Sequence, residues 1–204
     1  MENKTYHHGD LKRALIETGI KLINDKGESG FSLRKVAALC GVSNAAPYAH
    51  FKNKEELLSA MKEHVTEEFM NVLQEAIRAY PCDRDLITQM GKAYVMFFIQ
   101  NPHYFSFLFS QAKVVVDLSI EADPEKNYPP FTLFQQTALK VMENSNIPPK
   151  QARNFIIAQW ALVHGLASIA TMKNVRFQDD WEGETEAIMK SLTGEKNRNE
   201  CNHT

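Results

Sequence analysis

Apolar residues recur three and four positions apart along almost the whole chain, and the strict alternation that marks half-buried strands is absent. A chain patterned in this way buries its apolar surface by packing helix on helix, so the expected fold class is all-α. Proline divides the second half: Asn101-Pro102, Asp123-Pro124, Pro129-Pro130 and Pro148-Pro149 separate helices expected over roughly 84–100, 103–111, 130–144, 149–172 and 179–192.

The first half is punctuated differently. Asp10 is the expected cap of a first helix with Leu11, Leu15, Gly19, Leu22 and Ile23 inside, and Gly27 its stop. Ser32 caps a second helix whose Leu33, Val36, Ala37 and Cys40 form one narrow apolar stripe, and Gly41 ends it in a sharp turn in which Val42 is the buried residue. Ser43 or Asn44 then caps a third, very short helix containing Pro47. Asn53 with Glu56 three residues on is a capping box for a long fourth helix that runs to Pro81. A proline three or four residues past a cap forfeits little, because the first amides of a helix have no intrahelical partner.

Two short helices joined by Cys40-Gly41-Val42-Ser43 have the dimensions of a helix-turn-helix, whose second helix reads bases from the major groove. Asn44 can pair bidentately with adenine, and Ala45 and Ala46 can touch thymine methyls. Tyr48, His50, Lys52 and Lys54, with Arg34 and Lys35 from the second helix, suit phosphate oxygens. The candidate DNA-binding set is therefore Ser32, Arg34, Lys35, Ser43, Asn44, Ala45, Ala46, Pro47, Tyr48, His50, Lys52 and Lys54. Charge agrees: up to Lys54 there are nine Lys/Arg against five Asp/Glu, beyond it fourteen against twenty, within a net charge of −2. A basic end on an acidic body is a footprint for a polyanion.

In the order Ser32-Leu33-Arg34-Lys35-Val36-Ala37, Gly41-Val42-Ser43, Ala46-Pro47-Tyr48, His50-Phe51 and Asn53-Lys54-Glu55-Glu56-Leu57-Leu58, roughly the first sixty residues resemble the N-terminal domain of the TetR family of bacterial transcriptional regulators. Lys35 departs from the pattern, standing where an acidic residue is common. Trp160, His164 and Gly165 resemble the Trp-x-x-x-His-Gly pattern of one C-terminal class within that family. The resemblance implies a helix-turn-helix domain over 8–58 and a ligand-binding and dimerisation domain over 59–194, and the composition of 195–204 makes it an expected polar tail. It further implies a homodimer on a palindromic operator in double-stranded DNA, repression as the usual sign, and release by a small-molecule effector of unknown identity.

The body is rich in aromatic residues, and the expected ligand-binding set is Tyr94, Phe98, Phe105, Phe109, Phe134, Trp160 and His164. Each of these alone is more simply a core residue. Ala161, Gly165 and Ser168 put small side chains on one face, and the helices at 149–172 and 179–192 are expected to form a four-helix dimer seam.

Other classes are disfavoured. At 44% hydrophobic and 24% charged the chain is ordinary globular material. The start MENKTYHHGDLK lacks the apolar core of a signal peptide, and the run Tyr94–Ile99 is far short of a membrane span, so a cytoplasmic protein without a membrane partner is expected. Cys40, Cys82 and Cys201 offer neither a disulfide framework nor a metal knuckle, and His7 and His8 have no second pair at ligand spacing, so no metal or cofactor is expected. No Gly-x-Ser-x-Gly elbow, His-Glu-x-x-His, Walker loop or dinucleotide fingerprint is present, which weighs against an enzyme such as a helical hydrolase. A DNA-binding regulator gated by a protein partner is the remaining alternative.

Overall fold

The computed structural model describes residues 8–81, 85–112, 114–143 and 147–193. Cys82, Cys201, His7 and the expected tail lie outside these. The described residues form α-helices α1 (His8–Gly30), α2 (Leu33–Leu39), α3 (Lys54–Ala79), α4 (Leu86–Gln100), α5 (Pro102–Ser106), α6 (Pro129–Glu143), α7 (Pro149–Thr171) and α8 (Trp181–Thr193). A 3-10 turn at Ala46–Ala49 and a π-helical segment at Phe107–Gln111 complete the elements, and no strand occurs among the described residues. The all-α expectation therefore holds.

The chain divides into two compact units. One takes the residues up to Glu68 together with Pro102–Val114; the other takes Phe69–Asn101 and the residues from Val115 onward. This differs from the border expected at 58/59: the division falls inside α3, and α5 with the π-helical segment joins the first unit. The reason lies in polar residues of α1. Asn24 donates to the His103 carbonyl at 2.6 Å, and the Tyr104 hydroxyl donates to Glu17.

In the first unit α1 begins at His8, upstream of the expected Asp10 cap, so Asp10 stands inside the helix. Leu15, Ile16, Ile20, Leu22 and Ile23 are its buried face. Gly27 interrupts the helix at φ 66°, and a further helical turn follows to Gly30. The Ser32 side chain then accepts from the Lys35 amide at 3.3 Å. The expected acidic partner for this cap is replaced by Lys35, whose ammonium instead donates to the Gly30 carbonyl at 2.8 Å. α2 buries Leu33, Val36 and Ala37 and ends as a Schellman motif: the Gly41 amide bonds the Ala38 carbonyl at 3.2 Å and the Val42 amide the Ala37 carbonyl at 3.0 Å. Gly41 sits at φ 71°, where a side chain would be strained. Val42 is only half-buried.

In the second unit α4 is the central helix, buried from Leu86 through Gly91 and again at Tyr94, Val95, Phe97 and Phe98. A Cβ on Gly91 would lie 2.2 Å from the Met189 sulfur and 3.0 Å from Val163, so α7 and α8 approach α4 closely there. Lys92 adds ion pairs to Glu182 at 3.3 Å and Glu186 at 3.1 Å across the α4–α8 contact. Between the π-helical segment and α6, Asn127 pins the extended chain by exchanging two 2.9 Å hydrogen bonds with the Asp117 backbone.

α7 is long and apolar enough, by length and composition alone, to cross a membrane. Of its most apolar 18-residue window only 28% is buried. Ala152, Ile156, Gln159, Val163 and Ala167 face inward, whereas Ile169 and Met172 remain 43% and 47% exposed.

Candidate nucleic-acid interface

The surface that follows α2 is built by short-range devices. The Schellman turn at Gly41 reverses the chain, and Ser43 presents its carbonyl to the Ala46 amide at 3.0 Å, opening the 3-10 turn. The expected side-chain cap by Ser43 or Asn44 is not made. Ala45 occupies the cap position, and backbone carbonyls satisfy the first amides, because a 3-10 turn closes over three residues rather than four. Pro47 falls at the start of this turn, where its missing N–H is not needed, and its carbonyl accepts from both His50 and Phe51 at 2.9 Å.

Pro47 is itself buried, which corrects its place among the DNA-contacting candidates. It braces the turn from inside, together with Phe51 at 2% exposure. On the outside stand Ser43, Asn44, Ala45 and Tyr48, the last 53% exposed, with Ala46 half-buried behind them. Freed from capping duty, the Asn44 amide is available to a base edge. His50 is half-buried, and its Nε2 is buried without a protein partner among the described residues.

The basic candidates separate into two kinds. Arg34 and Lys52 are exposed, and only the backbone of Lys52 is engaged, its amide donating to Glu56 at 2.6 Å. With the Glu56 amide donating to Asn53 Oδ1 at 2.8 Å, this completes a capping arrangement displaced by one residue from the expected box. Lys35 and Lys54 are tied inward. Lys54 Nζ donates to the Glu28 carbonyl at 3.1 Å, lies 3.8 Å from the Glu28 carboxylate and stands over the Phe31 ring. Leu39, 63% exposed beside the turn, was absent from the expected set, although its exclusion from the Leu33/Val36/Ala37/Cys40 stripe already implies exposure.

Behind this surface α1, α3 and α5 are clamped by a triad invisible to local pattern. Glu17 Oε1 receives the Tyr104 hydroxyl at 2.5 Å and lies 2.8 Å from His64 Nε2. The hydrogen bond from His64 outweighs burial and, with that from Tyr104, holds the Glu17 carboxyl below the usual carboxylate range. Burial, followed by the adjoining Glu17 carboxylate, pushes the Tyr104 hydroxyl well up.

The aromatic candidates are described unit by unit. Phe105 and Phe109, half-buried with ring centroids 5.1 Å apart, belong to the first unit. In the second unit the Tyr94 hydroxyl and His164 Nδ1 share a hydrogen bond at 2.9 Å, and the His164 ring lies 4.9 Å from Trp160. Burial keeps His164 below the ordinary imidazole value and raises Tyr94, both of which favour the neutral forms. Phe98 is fully buried and packs against Phe69, Tyr94 and Phe97 at 5.0–5.1 Å. Phe131, missing from the expected set, joins Trp160 at 5.7 Å to Phe134 at 6.4 Å.

Residues 15–61 match the family model of bacterial regulatory proteins, tetR family, and residues 87–192 match that of the tetracyclin repressor-like C-terminal domain. The tetracycline repressor protein class C of Escherichia coli is 44% identical over 52 residues, 26% of this chain and 24% of that protein. YerO, an uncharacterized HTH-type transcriptional regulator of Bacillus subtilis (strain 168), is 33% identical over 85 residues, 40% of this chain and 29% of that protein. The chain thus matches less than a third of the length of either relative. A solved structure of a protein with unknown function from Rhodococcus sp. RHA1 is similar in fold, with a TM-score of 0.67 at 22% identity over 93% of this chain and 96% of that one. With one family model matched over residues 15–61 and another over 87–192, this chain belongs to the tetR family of bacterial regulatory proteins.

Proposed function

We propose that the protein represses transcription as a homodimer on a palindromic operator and is released by a small, mainly apolar effector. The observation that carries this reading is the row Asn44, Ala45 and Tyr48, held outward over the buried Pro47. Asn44 and Ala45 read base edges, while Tyr48, Arg34 and Lys52 contact phosphates. Dimerisation is supported by α7: its apolar window is poorly covered within one chain, and a Cβ at Gly165 would meet nothing within 4 Å, so that face is open to a second copy.

The effector enters beside Trp160, His164 and Phe134, which are half-buried and carry both apolar area and a polar pair. From there Tyr94 touches Phe69 of α3 at 5.0 Å, and α3 is one helix from Lys54 to Ala79. A shift of that helix alters the match of two heads to two half-sites. Linkage then requires operator DNA to weaken effector binding by the same factor, ordinarily about 1–3 kcal/mol. Gating by a protein partner is the second reading, favoured by the close packing of Phe69, Phe97 and Phe98, which leaves little room without rearrangement.

Selection of bound DNA from a random pool tests the primary claim, with a palindrome as the expected outcome. Trp160 fluorescence titrations of candidate effectors, with and without that palindrome, test the gating. Equal effector affinity in both sinks the release mechanism.

A further inference from the structure

The first unit carries a groove that neither DNA reading nor the body effector uses. It has a volume of about 370 Å³, within the size range of small-molecule sites, and is walled by α1, α3 and the π-helical segment with the residue after it. Ile23, Leu58, Phe107 and Ala112 supply apolar surface, while Glu28, Ser59, Lys62 and Gln111 supply its polar groups. Two of the apolar residues, Ile23 and Phe107, are 2% and 0% exposed, so this wall is part of a fixed core.

Two features point to an occupant. The wall from Phe107 to Gln111 keeps a wide π turn, closed by the Ala112 amide on the Phe107 carbonyl at 2.7 Å, a geometry that recurs at functional sites. The charges are also unbalanced: Glu28 is countered by Lys54 at 3.8 Å, whereas the exposed Lys62 ammonium has no carboxylate partner among the described residues. Ser59 is engaged only weakly, with Glu63 at 3.5 Å. An amine in this groove would face Lys62, and a fully apolar molecule would leave the polar groups unused. A carboxylate on an aryl or short aliphatic body meets both requirements.

We propose that this groove binds a small amphipathic organic anion, its carboxylate on Lys62 and Gln111 and its apolar body against Ile23, Leu58 and Phe107. The site is lined by first-unit residues alone and does not depend on the DNA-reading claim.

The probe is 4-phenylbutyrate, with 4-phenylbutylamine and 4-phenylbutan-1-ol as charge controls, added to the full chain without DNA. Methyl resonances of Ile23 and Leu58 are followed by NMR. The acid is expected to shift both in a saturable manner and to bind about tenfold more tightly than the alcohol, as one charge-assisted hydrogen bond provides. Lys62→Gln, at an exposed position, is expected to reduce the acid to the affinity of the alcohol while leaving the spectrum of the free protein folded. Equal binding of acid and amine, an unchanged affinity in Lys62→Gln, or shifts confined to second-unit residues such as Trp160 would each overturn the proposal. A body effector that fails to bind Trp160 leaves these readouts unaffected, so the two claims fail separately.

Discussion

The helix-turn-helix of the first unit and the core of the second are specified in contrasting ways. In the first, α2 and the turn after it are specified by contacts a few residues long: Ser32 with Lys35, Gly41 with Ala38, Val42 with Ala37, and Asn53 with Glu56. In the second, the determining contacts join distant parts of the chain, such as Tyr94 with His164 and Lys92 with Glu186. Short-range devices fix a small surface rigidly while leaving its outer side chains free for a ligand. Long-range packing builds a core whose outer face, on α7, is left incompletely covered.

The sharpest way to test this contrast is at Gly91. Gly91→Leu is expected to cost about 3 kcal/mol through overpacking against the buried Met189 and Val163, read by urea unfolding. An unchanged midpoint would mean that α8 yields freely and that the second unit is not packed as described. In the first unit the largest effect falls on binding. Asn44→Ala is expected to cost about 1–3 kcal/mol at one or two positions of each half-site without destabilising the fold, measured by competition with base-substituted operators. Uniform weakening on all sequences would assign Asn44 to the phosphates instead.

Tyr94→Phe is expected to cost about 1 kcal/mol by removing the hydrogen bond to His164, with the loss seen in the second unit's unfolding. Asn53→Ala should cost a similar amount, about 1 kcal/mol, through the lost α3 cap, and hydrogen exchange should place that loss at the start of α3. If both variants loosen both units equally, the division into local and distant determinants has no energetic counterpart.

The smallest effect is on pH dependence. Because Glu17 is held below its ordinary value of 4.5 in the folded chain, its contribution is fully present above that value. It is lost as pH falls below 4.5 through the depressed folded value. Tyr104→Phe removes one of the two hydrogen bonds responsible, so acid unfolding of the variant should depend less steeply on pH in that window.

The all-helical class and the succession of helices followed from sequence alone. The stripe Leu33/Val36/Ala37/Cys40, the turn at Gly41 and the capping pair Asn53 and Glu56 are read by the chain within a few residues, and side chains left off the stripe must point outward. Tertiary structure decided what depends on the meeting of remote residues. Pro47 turned inward, Lys35 and Lys54 were drawn onto the carbonyls of Gly30 and Glu28, and the Glu17, His64 and Tyr104 triad formed across three helices. The aromatic residues show the same limit: their abundance was legible, but the pairing of Phe105 with Phe109 and of Trp160 with His164 was not. Helical periodicity records which face of each helix is apolar; the partner of that face is set by long-range packing, on which local spacing carries no information.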